Sequence, residues 1–528
     1  MRSKPMILVA LLLAAFAINL DTTMVNVALP SLVRELHATT TQLQWVVDAY
    51  NLVFAALLLT FGSLSDRFGR KGMLLGGLTV FGAASLAGGF TTSPGTLIAA
   101  RSVMGLGAAM TFPATLSLIS NVFVQRRERA RAIGLWGAIA GVAIALGPIV
   151  GGWLLESFSW TSIFIAMAPV AAAAIALVAA SVPTSKNPES ARVDIAGLVL
   201  SAAAMALLVF TIIEAPDYGW GSARSLAGFA VTAVLLAVFI GWERRIPHPM
   251  LDVRLFRNMR FSAASGAVTV AFFTLFGFIF LITQFFQFVK GYGPLSTGVH
   301  LLPVALSVGI GSVAGTQLAV RVGTKLVVTV GLVAMAAFYG WVAATTTATL
   351  GYGVIAVQMV LYGLGMGLTS APATESIMGA VSRRQAGVGS AVNDSTRLLG
   401  GTLGVAVIGS VYASLYGSRL TATLPAGLPV RVSDIAHQSL GAAYAVSGRV
   451  PGALGRAVHD AATNAFIHGL SVGALVAGGV AAAGAVLAAW FLPAQPASPS
   501  VATPAQSLPA LSPAGATATP DTDATHVH

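Results

Sequence analysis

The constraint that governs this chain is the recurrence of long apolar runs. A helix of roughly 20 apolar residues crosses the hydrocarbon core of a bilayer, and runs of that kind fall at about 6–30, 42–63, 72–91, 95–117, 133–155, 161–181, 193–213, 225–242, 262–287, 296–318, 326–346, 350–378, 386–415 and 464–492. Little is left between them for a soluble domain. Of the 528 residues 56% are hydrophobic and 9% charged, where soluble domains carry about 25% charged residues. The expected class is an all-α integral membrane protein of about fourteen transmembrane helices.

An even number of spans puts both termini on one side. Most of the 29 Lys and Arg fall in the loops of that side, among them Arg2, Lys4, Arg67, Arg70, Lys71, Arg126, Arg127, Arg244, Arg245, Arg383 and Arg384. Alternate loops hold few, such as Arg34, Lys290 and Arg419. Cytoplasmic loops are the ones enriched in Lys and Arg, so the termini are expected in the cytoplasm and the chain in the inner (cytoplasmic) membrane. The net charge of +11 is therefore topogenic and calls for no nucleic acid. Without cysteine there is no disulfide and no thiolate metal site. Residues 416–463 read as a long external loop. Residues 493–528, rich in Ala, Pro, Ser and Thr, read as a disordered cytoplasmic tail, whose His526 and His528 are taken as solvated, not metal-bound.

A repeat divides the rest. Asp66-Arg67-Phe68-Gly69-Arg70-Lys71 returns as Val320-Arg321-Val322-Gly323-Thr324-Lys325, and Met104-Gly105-Leu106-Gly107 as Tyr362-Gly363-Leu364-Gly365. The nearly equal offsets predict a six-helix half over 1–190, an inserted helix pair over 191–245 and a second six-helix half over 246–492.

The charged residues inside the runs carry the function. A carboxylate in a membrane costs about 2.5–3.5 kcal/mol on insertion scales and marks a functional position by default. Asp21 lies past the middle of the first run, with Asn26 a short way along the same helix. Arg101 in the fourth run and Asp48 in the second lie at a comparable depth, so the three are expected to share one cavity and couple proton binding. The alternative for each is an interfacial side chain reaching the headgroups. In the second half Glu375, Asp394 and Arg397 are candidate substrate-cavity residues, as are Gln284 and Gln287. Asp394 and Arg397, three apart, either pair with each other or face substrate.

Four stretches resemble the major facilitator superfamily. Gly62-Ser63-Leu64-Ser65-Asp66-Arg67-Phe68-Gly69-Arg70-Lys71 is similar to its loop 2–3 signature, and Leu97 to Ala109, with Arg101 and Gly105, to its helix 4 motif. Gly141-x5-Gly147-Pro148-x2-Gly151-Gly152 resembles the helix 5 motif of its exporters. Leu20-Asp21-Thr22-Thr23-Met24-Val25-Asn26-Val27-Ala28-Leu29-Pro30 resembles the helix 1 signature of the fourteen-helix drug:proton antiporter branch. The resemblance runs from about residue 6 to 492. It implies a conformational latch at Gly62, Asp66, Arg67, Gly69 and Arg70, with Asp66 meeting the N-terminus of a second-half helix that begins near Gly387. It also implies that the helix 5 motif limits leakage and marks export.

The expected function is a proton-coupled antiporter exporting amphipathic, cationic drugs or antibiotics by alternating access. It would need no cofactor, and its partners would be a small-molecule substrate, protons and membrane lipid, the oligomeric state being open. A dedicated exporter of one metabolite or lipid is the alternative, and a nutrient proton symporter is a weaker one. An enzyme is not expected: Gly363-x-Gly365-x-Gly367 has no following Lys-Ser and so does not make an ATP-binding loop.

Overall fold

The structure, a computed structural model, describes residues 3–186, 194–247, 249–381 and 386–494. Eighteen α-helices follow one another among them: α1 (Lys4–Leu36), α2 (Thr40–Phe68), α3 (Arg70–Gly88), α4 (Pro94–Val122), α5 (Arg126–Ser157), α6 (Ser162–Ile165), α7 (Met167–Ser181), α8 (Ile195–Tyr218), α9 (Ala223–Glu243), α10 (Met259–Gln284), α11 (Pro294–His300), α12 (Leu302–Val322), α13 (Thr324–Thr345), α14 (Tyr352–Gly379), α15 (Ala386–Thr423), α16 (Val430–Gln438), α17 (Leu440–Ser447) and α18 (Gly452–Phe491). A π-helical turn, Phe285–Val289, prolongs α10. Counting α6 with α7 and α11 with α12, fourteen spans are long and apolar enough to cross a membrane. Each apolar run of the sequence is one of them.

The ends of the helices follow local chemistry. Thr39 caps α2 by accepting from the Gln42 amide at 3.3 Å while Gln42 Oε1 accepts from the Thr39 amide at 3.0 Å, which satisfies two otherwise unpaired donors. Ser93 caps α4, with Pro94 at the first helical position. Between α2 and α3 only Gly69 intervenes, at φ 125°, a conformation open to glycine and costly for other residues.

Two boundaries differ from the sequence reading. Pro30 does not end α1, which continues to Leu36. Proline removes only the one backbone bond to the Asn26 carbonyl, and a membrane helix packed among neighbours can carry it; Gln287 donates to the adjacent Val27 carbonyl at 2.8 Å. The segment 416–463 is largely helical. It holds the end of α15, the short helices α16 and α17, and the first turns of α18. Tyr416 there donates to the Ala436 carbonyl at 2.9 Å and Tyr444 stacks on His459 at 4.0 Å, so the segment folds on aromatic contacts that its mixed polarity conceals. The expected tail beyond residue 494 and the pair Arg383–Arg384 lie outside the described residues.

Helices α1–α7 form one bundle and α10–α15 with α18 form the second. Helix α8 packs on both α2 and α15, with Leu52, Val209, Ile212, Ile213 and Ala406 in one apolar cluster. Its far end is tied by Trp45 Nε1 donating to Glu214 at 3.1 Å and by Trp220 Nε1 donating to Ser414 at 3.0 Å. The inserted pair thus lies along one lateral edge of the seam between the bundles.

Candidate functional site

The site is built where α1, α2 and α4 converge. Arg101 Nη1 donates to Asp21 Oδ2 at 2.5 Å, and the arginine is fully buried. Its Nε donates to the Val46 carbonyl of α2 at 3.0 Å, and its guanidinium lies over the Tyr50 ring at 4.3 Å. Tyr50 in turn donates to the Ile18 carbonyl of α1 at 3.2 Å. One cation thus holds three helices through a charge, a carbonyl and an aromatic face. The spacing Arg101-x3-Gly105 explains how α4 comes close enough. A Cβ at Gly105 would lie 2.5 Å from the Tyr50 carbonyl oxygen, so only glycine allows this approach one turn beyond the arginine.

Asp48 stands apart from this pair. It is fully buried, and neither carboxyl oxygen has a protein hydrogen-bond partner among the described residues. The expected three-residue cluster is therefore a two-residue ion pair with a separate acid. The reason is rotation along α2. Val46, two residues before Asp48, offers its carbonyl to Arg101, while Gln44, one turn before Asp48 on its own face, points across to α15.

That crossing belongs to a seam at the side of the membrane opposite the termini. Gln44 Nε2 donates to the Val405 and Ala406 carbonyls and to Ser410, at 3.1–3.2 Å. Gln287 donates to Val27, and Thr40 to the Gln438 carbonyl at 3.3 Å. The helix 5 motif supplies the rest of the closure. A Cβ at Gly152 would meet the Pro294 carbonyl oxygen at 2.5 Å, and one at Gly298 would collide with the Pro148 carbonyl. Gly147 and Gly151 lie against Thr23 and Met24 of α1, and Thr23 Oγ1 donates to the Ile144 carbonyl at 3.1 Å. Gly141 meets nothing within 4 Å. Among the described residues the side-chain hydrogen bonds between the bundles all lie at the far side.

The other expected residues distribute as follows. Asn26 and Gln284 are buried and donate to carbonyls of their own helices, Thr22 at 3.3 Å and Phe280 at 3.0 Å. With Gln287 they lie toward the far side, the external end at which the two glutamines are expected to line the cavity. Asp66 Oδ1 takes Arg70 Nε at 2.7 Å and Ser117 at 3.2 Å. Among the described residues its partners are thus in the first bundle. Gly62 lies 3.7 Å from Pro113 by its virtual Cβ, and Arg67 covers the Phe68 ring at 5.6 Å. In the second bundle Asp394 and Arg397 do not come within ion-pair distance. Arg397 Nη2 donates to Thr374 at 3.2 Å and lies over the Phe272 ring at 5.2 Å, while Thr374 donates to Asn393 at 3.0 Å. Glu375 is exposed. Among the described residues no His, Asp or Glu cluster forms a metal site. Tyr50 and Gln44 escaped the sequence reading. Their signal is a polar or aromatic side chain at i and i+6 in the apolar run that also carries Asp48, a weak one.

Known proteins extend this picture. The family model described as Major Facilitator Superfamily matches residues 11–405. The multidrug resistance protein Stp of Mycobacterium tuberculosis is 35% identical over 428 residues, covering 81% of this chain and 79% of that protein. The multidrug efflux pump LfrA of Mycolicibacterium smegmatis is 34% identical, covering 89% and 92%. The tetracenomycin C resistance and export protein of Streptomyces glaucescens is 31% identical, covering 93% and 92%. Among solved structures, a bacterial homolog of the human lysosomal transporter Spinster, in an inward-facing and occupied conformation, superposes with a TM-score of 0.66 at 16% identity, over 93% of this chain and 98% of that one. With fourteen spans, two six-helix bundles and relatives of this identity and coverage, the chain is a multi-pass membrane transporter of the major facilitator superfamily.

Proposed function

We propose that the chain exports amphipathic cationic drugs in exchange for protons, by alternating access, from a cell membrane in which both termini are cytoplasmic. The basic loops of the terminal side support the orientation, which makes the far side the external one. The names of the relatives support drug export. The observation that carries proton coupling is the buried Asp21–Arg101 pair.

Its position ties protonation to the seam. A proton on Asp21 cancels the charge that compensates Arg101, and an uncompensated buried charge costs about 3–5 kcal/mol. The guanidinium must then find other partners, which loosens its hold on α1 and on Val46 of α2. Those two helices carry the far-side bonds: Val27 of α1 receives Gln287, and Gln44 of α2 crosses to α15. Protonation at Asp21 therefore acts on both strips of the closure from one point. Asp48, one turn below Gln44, is the second proton position. Its carboxyl is buried without a protein partner among the described residues, and separation of α2 from α15 would open it to exchange. A lipophilic cation competes with the proton for the acidic site, and linkage makes each ligand expel the other.

The test is accumulation of tetraphenylphosphonium, a lipophilic cation, in inside-out vesicles under an imposed pH gradient, acid inside. Uptake that collapses with the gradient is the expected result. Uptake indifferent to the gradient would remove proton coupling, and absence of uptake would remove the cationic substrate class.

A further inference from the structure

An apolar cavity lies within the second bundle, away from the seam between the bundles. It runs between α10, α13, α14, α15 and α18, with Phe278, Phe338, Met359, Ile408 and Ala474 on its walls. Its deep end, at Met359, Ile408 and Ala474, is buried, while Val342, Thr346 and Leu350 are half-exposed. The mouth therefore opens at the far-side end of α13 and the turn that follows.

The polar groups around the slot are already used. Thr346 donates to the Val342 carbonyl at 2.7 Å, Gln358 to Thr345 at 2.9 Å, and Tyr339 to the Thr274 carbonyl at 2.6 Å. Nothing in the walls asks for a polar ligand, so hydrocarbon is the matching occupant. At the rim stands one cation. Lys290 Nζ donates to the Ala348 and Leu350 carbonyls, at 2.8 and 2.5 Å, and lies 5.6 Å from the centre of the Phe285 ring. Leu350 and Phe285 are both part of the cavity lining. An ammonium has three donors, and two are spent on neutral carbonyls. Among the described residues Lys290 makes no ion pair. An anchored, uncompensated cation at the mouth of an apolar slot is complementary to an anionic headgroup with an attached chain.

We propose that this slot holds one acyl chain of an anionic phospholipid of the far-side leaflet, its phosphate at Lys290. The site is separate from the transport path and does not depend on the substrate class assigned above. A bound chain would brace α13 against α10 and α18 and so stiffen the bundle that must move as a body.

The test uses the full chain purified in detergent and stripped of lipid. It is titrated with dioleoylphosphatidylglycerol, dioleoylphosphatidylcholine or oleate, reading the thermal midpoint and the lipid retained after gel filtration. The parent is expected to retain one phosphatidylglycerol per chain, with a saturating rise in midpoint. Lys290→Gln should raise the phosphatidylglycerol concentration needed on the order of tenfold, the loss of one charge-assisted contact, and leave the response to phosphatidylcholine unchanged. Gly473→Leu fills the slot, since a Cβ there meets only ordinary contacts of 3.5–3.9 Å, and should abolish retention of either phospholipid. Lys290→Gln lies at the rim and carries the test if Gly473→Leu does not fold. Retention by Lys290→Gln equal to the parent's would overturn the site, and saturation by oleate alone would overturn the phospholipid.

Discussion

The closure at the far side predicts a large effect from one methyl-sized group. In this state a Cβ on Gly152 would lie 2.5 Å from the Pro294 carbonyl oxygen and 2.7 Å from Leu295 Cα. Both obstacles are backbone at the start of α11, which has no flexible side chain to move aside. Gly152→Val therefore strains the state in which α5 and α11 touch and spares the one in which they part. Overpacking of this kind costs about 1–3 kcal/mol, a factor of roughly 5–150 in the ratio of open to closed far side. The chain has no cysteine, so a single cysteine at Val405, buried at the α2–α15 seam, reports the opening. Labelling by a membrane-impermeant maleimide applied to the far side should accelerate by that factor. Gly141→Val is the control, because nothing lies within 4 Å of its Cβ. Equal labelling of the parent and Gly152→Val, or equal acceleration by Gly141→Val, would refute the packing argument.

Other perturbations follow from the same geometry. Arg101→Met alone should destabilise the protein by about 3–5 kcal/mol by stranding Asp21, whereas Arg101→Met with Asp21→Asn should recover most of that loss in thermal unfolding, as neutral replacements of buried pairs do. Asp66→Asn removes a partly exposed pair with Arg70 worth less than about 1 kcal/mol; the unfolding midpoint should hold while the rate of tetraphenylphosphonium export falls, and loss of binding would place the acid in the substrate site. Cysteine at Lys71 should react with an impermeant reagent only in permeabilised cells and cysteine at Val430, which is exposed, in intact ones. The reverse pattern would overturn the orientation.

The sequence made the spans legible because burial in lipid demands unbroken apolar runs, and every run returned as a helix. It also showed which residues are exceptional, since Asp21, Arg101 and Asp48 are conspicuous in such a background. Their grouping was harder to read. Depth follows from counting residues, but azimuth depends on how each helix is turned, and this sends Arg101 to Asp21 while leaving Asp48 alone. The glycines of the helix 5 motif could be read as close-packing positions; that Gly152 packs on the second bundle and Gly147 on α1 depends on the state of the transporter. Asp66 holds Arg70 and Ser117 in this state, a pairing within the first bundle that its sequence pattern alone does not specify. The aromatic fold of 416–463 was hidden because short helices with mixed polarity lack a decisive period.

The central claim is that Asp21, paired with Arg101, carries the proton that substrate displaces. The direct measurement is proton release when tetraphenylphosphonium is added to the purified protein in weak buffer. The parent should release protons in a saturable manner, and Asp21→Asn should bind the cation with no release from that site. Release by Asp21→Asn equal to the parent's would contradict the account and move the carrier to Asp48 or Asp394.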